Sequence, residues 1–162
     1  MLWGALILVG CGGTKPQRPT RLGEERLDQT DSMLLGMVEV NQQMAEEADS
    51  QLAAYAADGY AYHEDGYWVK GLKDTDQPRL ADSSMVMVHQ WVYDLNGTLY
   101  QDVSQEMMVG RLETMPAVMS VLSELHHGDS VSLLIPWYAG YGAQGQGVVP
   151  AYTNVRVELV VK

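Results

Sequence analysis

Histidine, cysteine, serine and one glycine-rich run are the features of this 162-residue chain whose type and spacing bear most directly on chemistry. Four histidines, His63, His89, His126 and His127, have the ring nitrogens that ligate metals, but neighbours such as His126 and His127 point about 100° apart on a helix. A structural or exposed role is expected for each, and no metal. Gly140-x-Gly142-x-x-Gly145 spells the dinucleotide fingerprint, which works only where a helix N-terminus follows to receive the pyrophosphate. Val149-Pro150 and a strand-like run follow instead, so no cofactor is expected. Ser83, Ser84, Ser120, Ser123, Ser130 and Ser132 lie in no recognisable nucleophile context, which leaves hydrolase chemistry without support. The lone cysteine, Cys11, excludes an intramolecular disulfide, a dithiol redox pair and a Cys-ligated zinc within the chain.

Cys11 points to a different chemistry. Leu2 to Gly10 is an uncharged apolar run, too short for the roughly 20 residues of a membrane-spanning helix and the size of a signal-peptide core. Leu8-Val9-Gly10-Cys11 resembles the bacterial lipobox, in which the cysteine thiol is acylated and becomes the new N-terminus after cleavage. No Lys or Arg precedes Cys11, where a signal peptide carries positive charge. Residues 1–10 are read as the signal peptide and residues 11–30 as a lipidated tether, because Gly12, Gly13, Pro16 and Pro19 build neither helix nor central strand. Acyl chains on Cys11 would then hold the chain at a membrane without spanning it. Gly12 is not an acidic retention signal, which points to the outer membrane, facing the periplasm.

The remaining composition bounds size and partners. Length allows one ordinary domain with an appendage, and such a domain buries roughly 70% of its unfolded surface. Twenty-one acids against ten bases give a net charge of −11, which repels phosphate backbones, so no nucleic-acid partner is expected.

The elements that must position any site follow from periodicity. Glu24 to Asp65 holds eleven acids and one base, Arg26, while Met33, Met37, Val40, Met44, Ala48 and Tyr55 recur at helical spacing. Asp31 or Ser32 is the expected N-cap and Asp58-Gly59 the stop. The methionine stripe either packs on its own domain or forms a homodimer seam or client groove along residues 31–58. Tyr60, Tyr62, Tyr67, Trp68 and Val69 read as a linker strand, and Lys73 to Asp82 as a loop, completing a segment 31–82. From Ser84 the period becomes two: Met85, Met87, His89, Trp91 and Tyr93 alternate with Val86, Val88, Gln90 and Val92, a strand expected to be covered on both faces. Asn96-Gly97 predicts a two-residue type I′ hairpin. A return strand through Leu99, Tyr100 and Val103, and a separate short strand over Met107–Gly110, follow. Pro116 with Val118, Val121, Leu122 and Leu125 predicts a helix of about ten residues, closed by Gly128, with His126 and His127 in its last turn. Ser130–Ile135 and Val155–Val161 are strands. The pattern is α+β, an antiparallel sheet wrapped around one short helix.

Val88-His89, the Asn96-Gly97 hairpin, Val121-Leu122 through Leu125-x-x-Gly128, Leu133 to Pro136 with Ala139-x-Tyr141-Gly142, then Gly145, Val148-Val149-Pro150 and Val157-Glu158-Leu159 follow in one order. In that order, residues 83–162 resemble the domain of FKBP-type peptidyl-prolyl cis/trans isomerases. With the lipobox and acidic helix, the whole resembles the FKBP-type lipoproteins of Gram-negative envelopes. The resemblance implies an FKBP-like fold and an isomerase that needs no cofactor. Rotation about an X-Pro bond crosses a barrier near 20 kcal/mol, and a catalyst need only favour the twisted amide in an apolar cavity with a donor to a carbonyl. Carried over by position, the catalytic residues are Tyr141, whose hydroxyl would meet a bound carbonyl, Tyr100 as side wall, and Met115 as backbone donor. Val148 and Val149 would supply the loop contact.

The departures are specific. Val118 stands where the family has a pocket-floor Trp, Gln90 where it has a wall Tyr, Val155 where it has a Phe, and Gln101 where it has an acid, with Asp102 one residue on. Loss of the Trp floor is worth about 1–3 kcal/mol, or roughly 5- to 150-fold in affinity or rate. Two functions follow as expectations. One is isomerisation of proline-containing unfolded or exported polypeptides by an enzyme anchored through Cys11. The alternative is a weak or inactive FKBP-like lipoprotein acting as a chaperone or assembly subunit. An open apolar pocket between Tyr100, Met115, Val118 and Tyr141 would favour the first, and a filled one the second.

Overall fold

A computed structural model describes residues 21–73, 75–111 and 115–162, with side chains from Asp31 onward except Leu72. The apolar run 1–10, Cys11 and the Gly- and Pro-containing stretch after it lie outside the described residues. The chain divides into two compact units, Met1–Glu39 and Val40–Lys162.

Helix α1 (Arg21–Tyr55) is 35 residues long. It starts well before the expected cap at Asp31 or Ser32, and residues 21–30, read as tether, are helical. Glu24, Glu25, Arg26 and Leu27 are good helix formers and no proline follows Pro19 in this stretch, so nothing stops the helix there. No helix among the described residues is long and apolar enough to cross a membrane. Within the first unit, Met33, Leu34, Leu35, Met37 and Val38 are exposed.

The second unit is an antiparallel six-stranded sheet with a helix against it. In chain order the strands are β1 (Ala61–His63), β2 (Tyr67–Lys73), β3 (Met85–Asp94), β4 (Leu99–Met108), β5 (Ser130–Ile135) and β6 (Val155–Val161), and in space β1-β2-β5-β6-β3-β4. The linker strand of the sequence reading is thus β1 and β2, both part of the sheet. Met107 and Met108 prolong β4 instead of starting a strand of their own.

Strand alternation sorts side chains into two cores. Tyr67, Leu133, Ile135, Val155, Val157 and Leu159 join Val118, Val121 and Leu122 of α2 (Pro116–Leu122) in the larger one. Trp68 and Leu134 point the other way, where Leu52 of α1 and Ala56, just past its end, cover them. That second layer does not extend over β3. Val86, Val88, Gln90 and Val92 are buried, but Met85 and Met87 are exposed and His89 and Trp91 half-buried, stacked on each other at 3.9 Å. One face of β3 is covered, not both.

Two further details depart from the sequence reading. Of the turn residues Asn96 and Gly97 only Gly97 has positive φ, and Asp94 N–H donates to Thr98 O while Gly97 N–H donates to Asp94 O, so the hairpin is not type I′. The Asp94 carboxylate decides this by accepting from the Asn96 and Thr98 backbone N–H groups at 2.9 and 2.7 Å, bonds that hold it below the usual carboxylate range, Thr98 first. Helix α2 ends at Leu122, after which tight turns carry the chain to Leu125, and His126 and His127 lie beyond it. There the backbone of His126 bridges Arg79, and His127 N–H donates to Pro78 O.

Asp129 holds this corner together. Almost fully buried, it accepts from Thr75 N–H at 2.7 Å, Thr75 Oγ1 at 2.8 Å and His126 N–H at 2.9 Å. Burial pushes its carboxyl up, but these donors together outweigh burial and leave it below the usual range. Asp129→Ala orphans buried donors and should lower stability by about 1–3 kcal/mol. A carboxyl depressed on folding contributes stability present above about pH 4 and lost as pH falls through its folded value. Urea titrations at pH 7 and pH 3 should therefore show a smaller difference between wild type and variant at pH 3.

Candidate functional site

A bulge in the β3–β4 pair opens the site. Val92 opposes Gln101 and Tyr93 opposes Leu99, so Tyr100 is left without a partner. A bulged residue breaks strict alternation and re-aims its side chain. Gln101, Val103 and Gln105 face the same side as their partners Val92, Gln90 and Val88, and Tyr100 joins them, packed on the larger core.

These residues border an open cleft of about 580 Å³, with Gln90 from β3 and Tyr141 and Gln146 from the loop between β5 and β6. Tyr141 also packs on the larger core, and its hydroxyl donates to Gln101 Oε1 at 3.1 Å. Burial raises its pKa, so the hydroxyl remains a neutral donor across the physiological range. A carbonyl arriving in the cleft would take this donor from Gln101. Gln101 therefore holds the place facing Tyr141. Asp102 also borders the cleft, but His89 Nε2 holds it at 2.6 Å while Ser104 Oγ lies 2.8 Å from His89 Nδ1. These three side chains tie β3 to β4.

The other candidate residues sit elsewhere. Met115, Val118, Val149 and Val155 are buried in the larger core, at or below 5% exposure, and Val148 is 66% exposed. None of them borders the cleft among the described residues, so the apolar pocket expected between Tyr100, Met115, Val118 and Tyr141 is not open: Met115 and Val118 are packed into the core. Met115 is the N-cap of α2, its carbonyl accepting from Val118 and Met119 N–H. Cys11 lies outside the described residues. Gln105 and Gln146 line the cleft without having been singled out in the sequence. Gln105 was within reach of the alternation Gln101, Val103, Gln105; Gln146 carries no local signal beyond its flanking glycines. No group of three or more metal-ligating side chains occurs among the described residues.

The loop is held from both ends. Trp137 Nε1 donates to Met44 O at 3.4 Å and Tyr138 OH to Asp49 Oδ1 at 2.6 Å, so the end of α1 fixes the turn that leads into Tyr141. Burial, and then Asp49, push the Tyr138 phenol well above its ordinary pKa. Farther on, Gln146 and Val149 exchange two backbone hydrogen bonds of 3.0 Å. Gly145, at φ +68°, allows this closure: a Cβ there would collide with Val149 O and stand 2.7 Å from Pro150 C. At Gly147, φ +60°, a Cβ would meet nothing within 4 Å. Gly147→Ala should cost only the left-handed penalty, about 1–2 kcal/mol. Gly145→Ala should cost visibly more and displace Gln146, readable as a larger drop in the urea midpoint and as shifted amide resonances at Gln146 and Val149.

No protein-family model matches the chain, and no curated protein matches its sequence. Solved structures do match. A peptidyl-prolyl cis-trans isomerase from Pseudomonas syringae pv. tomato is similar over 74% of this chain and 92% of its own, with TM-score 0.64 and 19% identity. FkpA from Escherichia coli is similar over 91% of this chain and 73% of its own, with TM-score 0.61 and 14% identity. The N-terminal domain of FKBP42 from Arabidopsis thaliana is similar over 63% of this chain and 88% of its own, with TM-score 0.56 and 15% identity. At such identities the likeness is one of fold. The chain has the FKBP-like α+β fold, a six-stranded antiparallel sheet packed on one main helix.

Proposed function

We propose that the chain is a peptidyl-prolyl cis/trans isomerase acting on proline-containing unfolded or exported polypeptides, anchored through Cys11 to the outer membrane. The observation that carries the reading is the pairing of Tyr100 and Tyr141 across one open cleft on an FKBP-like fold. Rotation about the X-Pro bond needs neither nucleophile nor metal; it needs a surface that binds the twisted amide better than the planar one. Tyr141 would donate to a substrate carbonyl as Gln101 gives up its bond. Tyr100, held by the bulge, would supply the aromatic wall. Anchorage rests on the Leu8-Val9-Gly10-Cys11 sequence, and the exposed methionine stripe of α1, with Met33 and Met37, is the surface through which a second copy would pair.

The second reading, a weakly catalytic or inactive binding subunit, is favoured by one observation. Four of the eight lining residues are glutamines and two are aromatic, while Val118 and Val155 are closed into the core.

A protease-free isomerisation assay with a Leu-Pro or Phe-Pro peptide separates the two. Wild type should accelerate exchange over the spontaneous rate. Tyr141→Phe removes one hydrogen bond and should lower kcat/KM by about 2- to 12-fold. Adding Tyr100→Ala should abolish the acceleration. Because burial raises the Tyr141 pKa, activity should persist as pH rises past 10, where an ordinary tyrosine loses its proton. Folded wild type without acceleration would overturn the enzyme reading in favour of the binding one. Anchorage is tested separately: Cys11→Ser should move the protein from the membrane to the soluble fraction, and an unchanged distribution would overturn lipidation.

A further inference from the structure

The cleft carries one unmet demand. Gln90 is only 2% exposed, between Val88 and Val92 on β3, opposite Val103 on one side and Leu159 on the other. Its carbonyl Oε1 is buried without a hydrogen-bond partner among the described residues. Buried side-chain acceptors nearly always find a donor, and an orphan calls for an explanation. Structure alone does not call for a glutamine here, since Val86, Val88 and Val92 fill the neighbouring positions of the same face with aliphatic groups.

The surroundings say what would meet that acceptor. Gln101, Gln105 and Gln146 bring three more carboxamides to the same cleft, Tyr100 and Tyr141 bring hydroxyls, and Val103 is the one aliphatic residue in the lining. A carboxamide offers donor and acceptor side by side, so a lining of carboxamides is more complementary to another carboxamide than to an alkyl or phenyl group. A cation would also donate, but beside Gln90 it would be desolvated, and the one carboxylate among the described residues that border the cleft, Asp102, is held by His89.

We infer that the cleft selects peptides whose proline is flanked by glutamine or asparagine, the side-chain N–H of that residue donating to Gln90 Oε1. The atom itself is covered, so the bond forms as the Gln90 carboxamide turns about its terminal torsion, which is broad for an amide. The inference deepens the isomerase reading of this cleft and rests on its peptide-binding part.

Calorimetric titration of the full chain with blocked pentapeptides Ala-X-Pro-X-Ala, where X is Gln, Asn or Leu, tests it. Gln and Asn peptides should bind about 2- to 12-fold more tightly than the Leu peptide, the value of one hydrogen bond. Gln90→Leu should erase or invert that order, and Gln90→Met, unbranched and of similar volume, should do the same if the leucine variant fails to fold. Equal or tighter binding of the Leu peptide by wild type would overturn the inference, as would an unchanged preference in a folded variant. Isomerisation rates of the same peptides distinguish the two claims. Selective binding without acceleration overturns the isomerase reading alone, acceleration without preference overturns the inference alone, and no binding overturns both.

Discussion

Side chains in an antiparallel pair alternate with a period of two, so one unpaired residue decides what the rest of a strand presents to each face. Here that residue is Tyr100. Without the bulge, Tyr100 and Gln101 would face opposite sides of the sheet, and the tyrosine would lie with His89 and Trp91 on the open face. With it, both face α2, and the ring rests on the larger core beside Tyr141. The turn before it depends on Asp94, whose carboxylate takes two backbone N–H groups and leaves Gly97 alone in the left-handed region.

The opposite wall is built by a longer chain of dependence. Leu52 and Ala56 cover Trp68 and Leu134, which seats the end of α1 on the sheet. Met44 and Asp49 on that helix hold Trp137 and Tyr138, and the chain then turns through Gly140 into Tyr141. A Cβ at Gly140 would lie 3.4 Å from Pro136 O and 3.7 Å from Met115 Sδ, so this turn is close-packed. The C-terminal part of α1, read from the sequence as an acidic segment ahead of the domain, is thus part of what fixes the cleft.

Much of this was legible in the chain itself, and the exceptions have physical causes. Ser130–Ile135 and Val155–Val161 showed at once because their apolar runs and alternation are strong, and Pro116 marked the start of α2. The start of α1 is not legible, because Asp31 and Ser32 cap helices only where something else breaks them. The open face of β3 looks covered in sequence because its Met and Trp are apolar, whereas burial depends on which face a second layer reaches. The hairpin type is not legible, because Asn-Gly gives the permissive residues but not the neighbour, Asp94, that chooses among turns. Of the residues that border the cleft, the resemblance names Tyr100, Tyr141 and Gln101; Gln105 is within reach of strand alternation once Gln101 is placed, whereas Gln146 is brought there by a loop closure across Gly145 that leaves no local pattern.

Titration of the ¹⁵N-labelled chain with a proline-containing peptide, followed by amide resonances, tests the central claim most directly. Binding between the two tyrosines requires the backbone amides of Tyr100, Gln101 and Gln146 and the side-chain amide of Gln90 to shift together and saturate at one peptide concentration. Shifts confined to the Met33–Val38 face of α1, or none while the spectrum remains that of a folded protein, would contradict it.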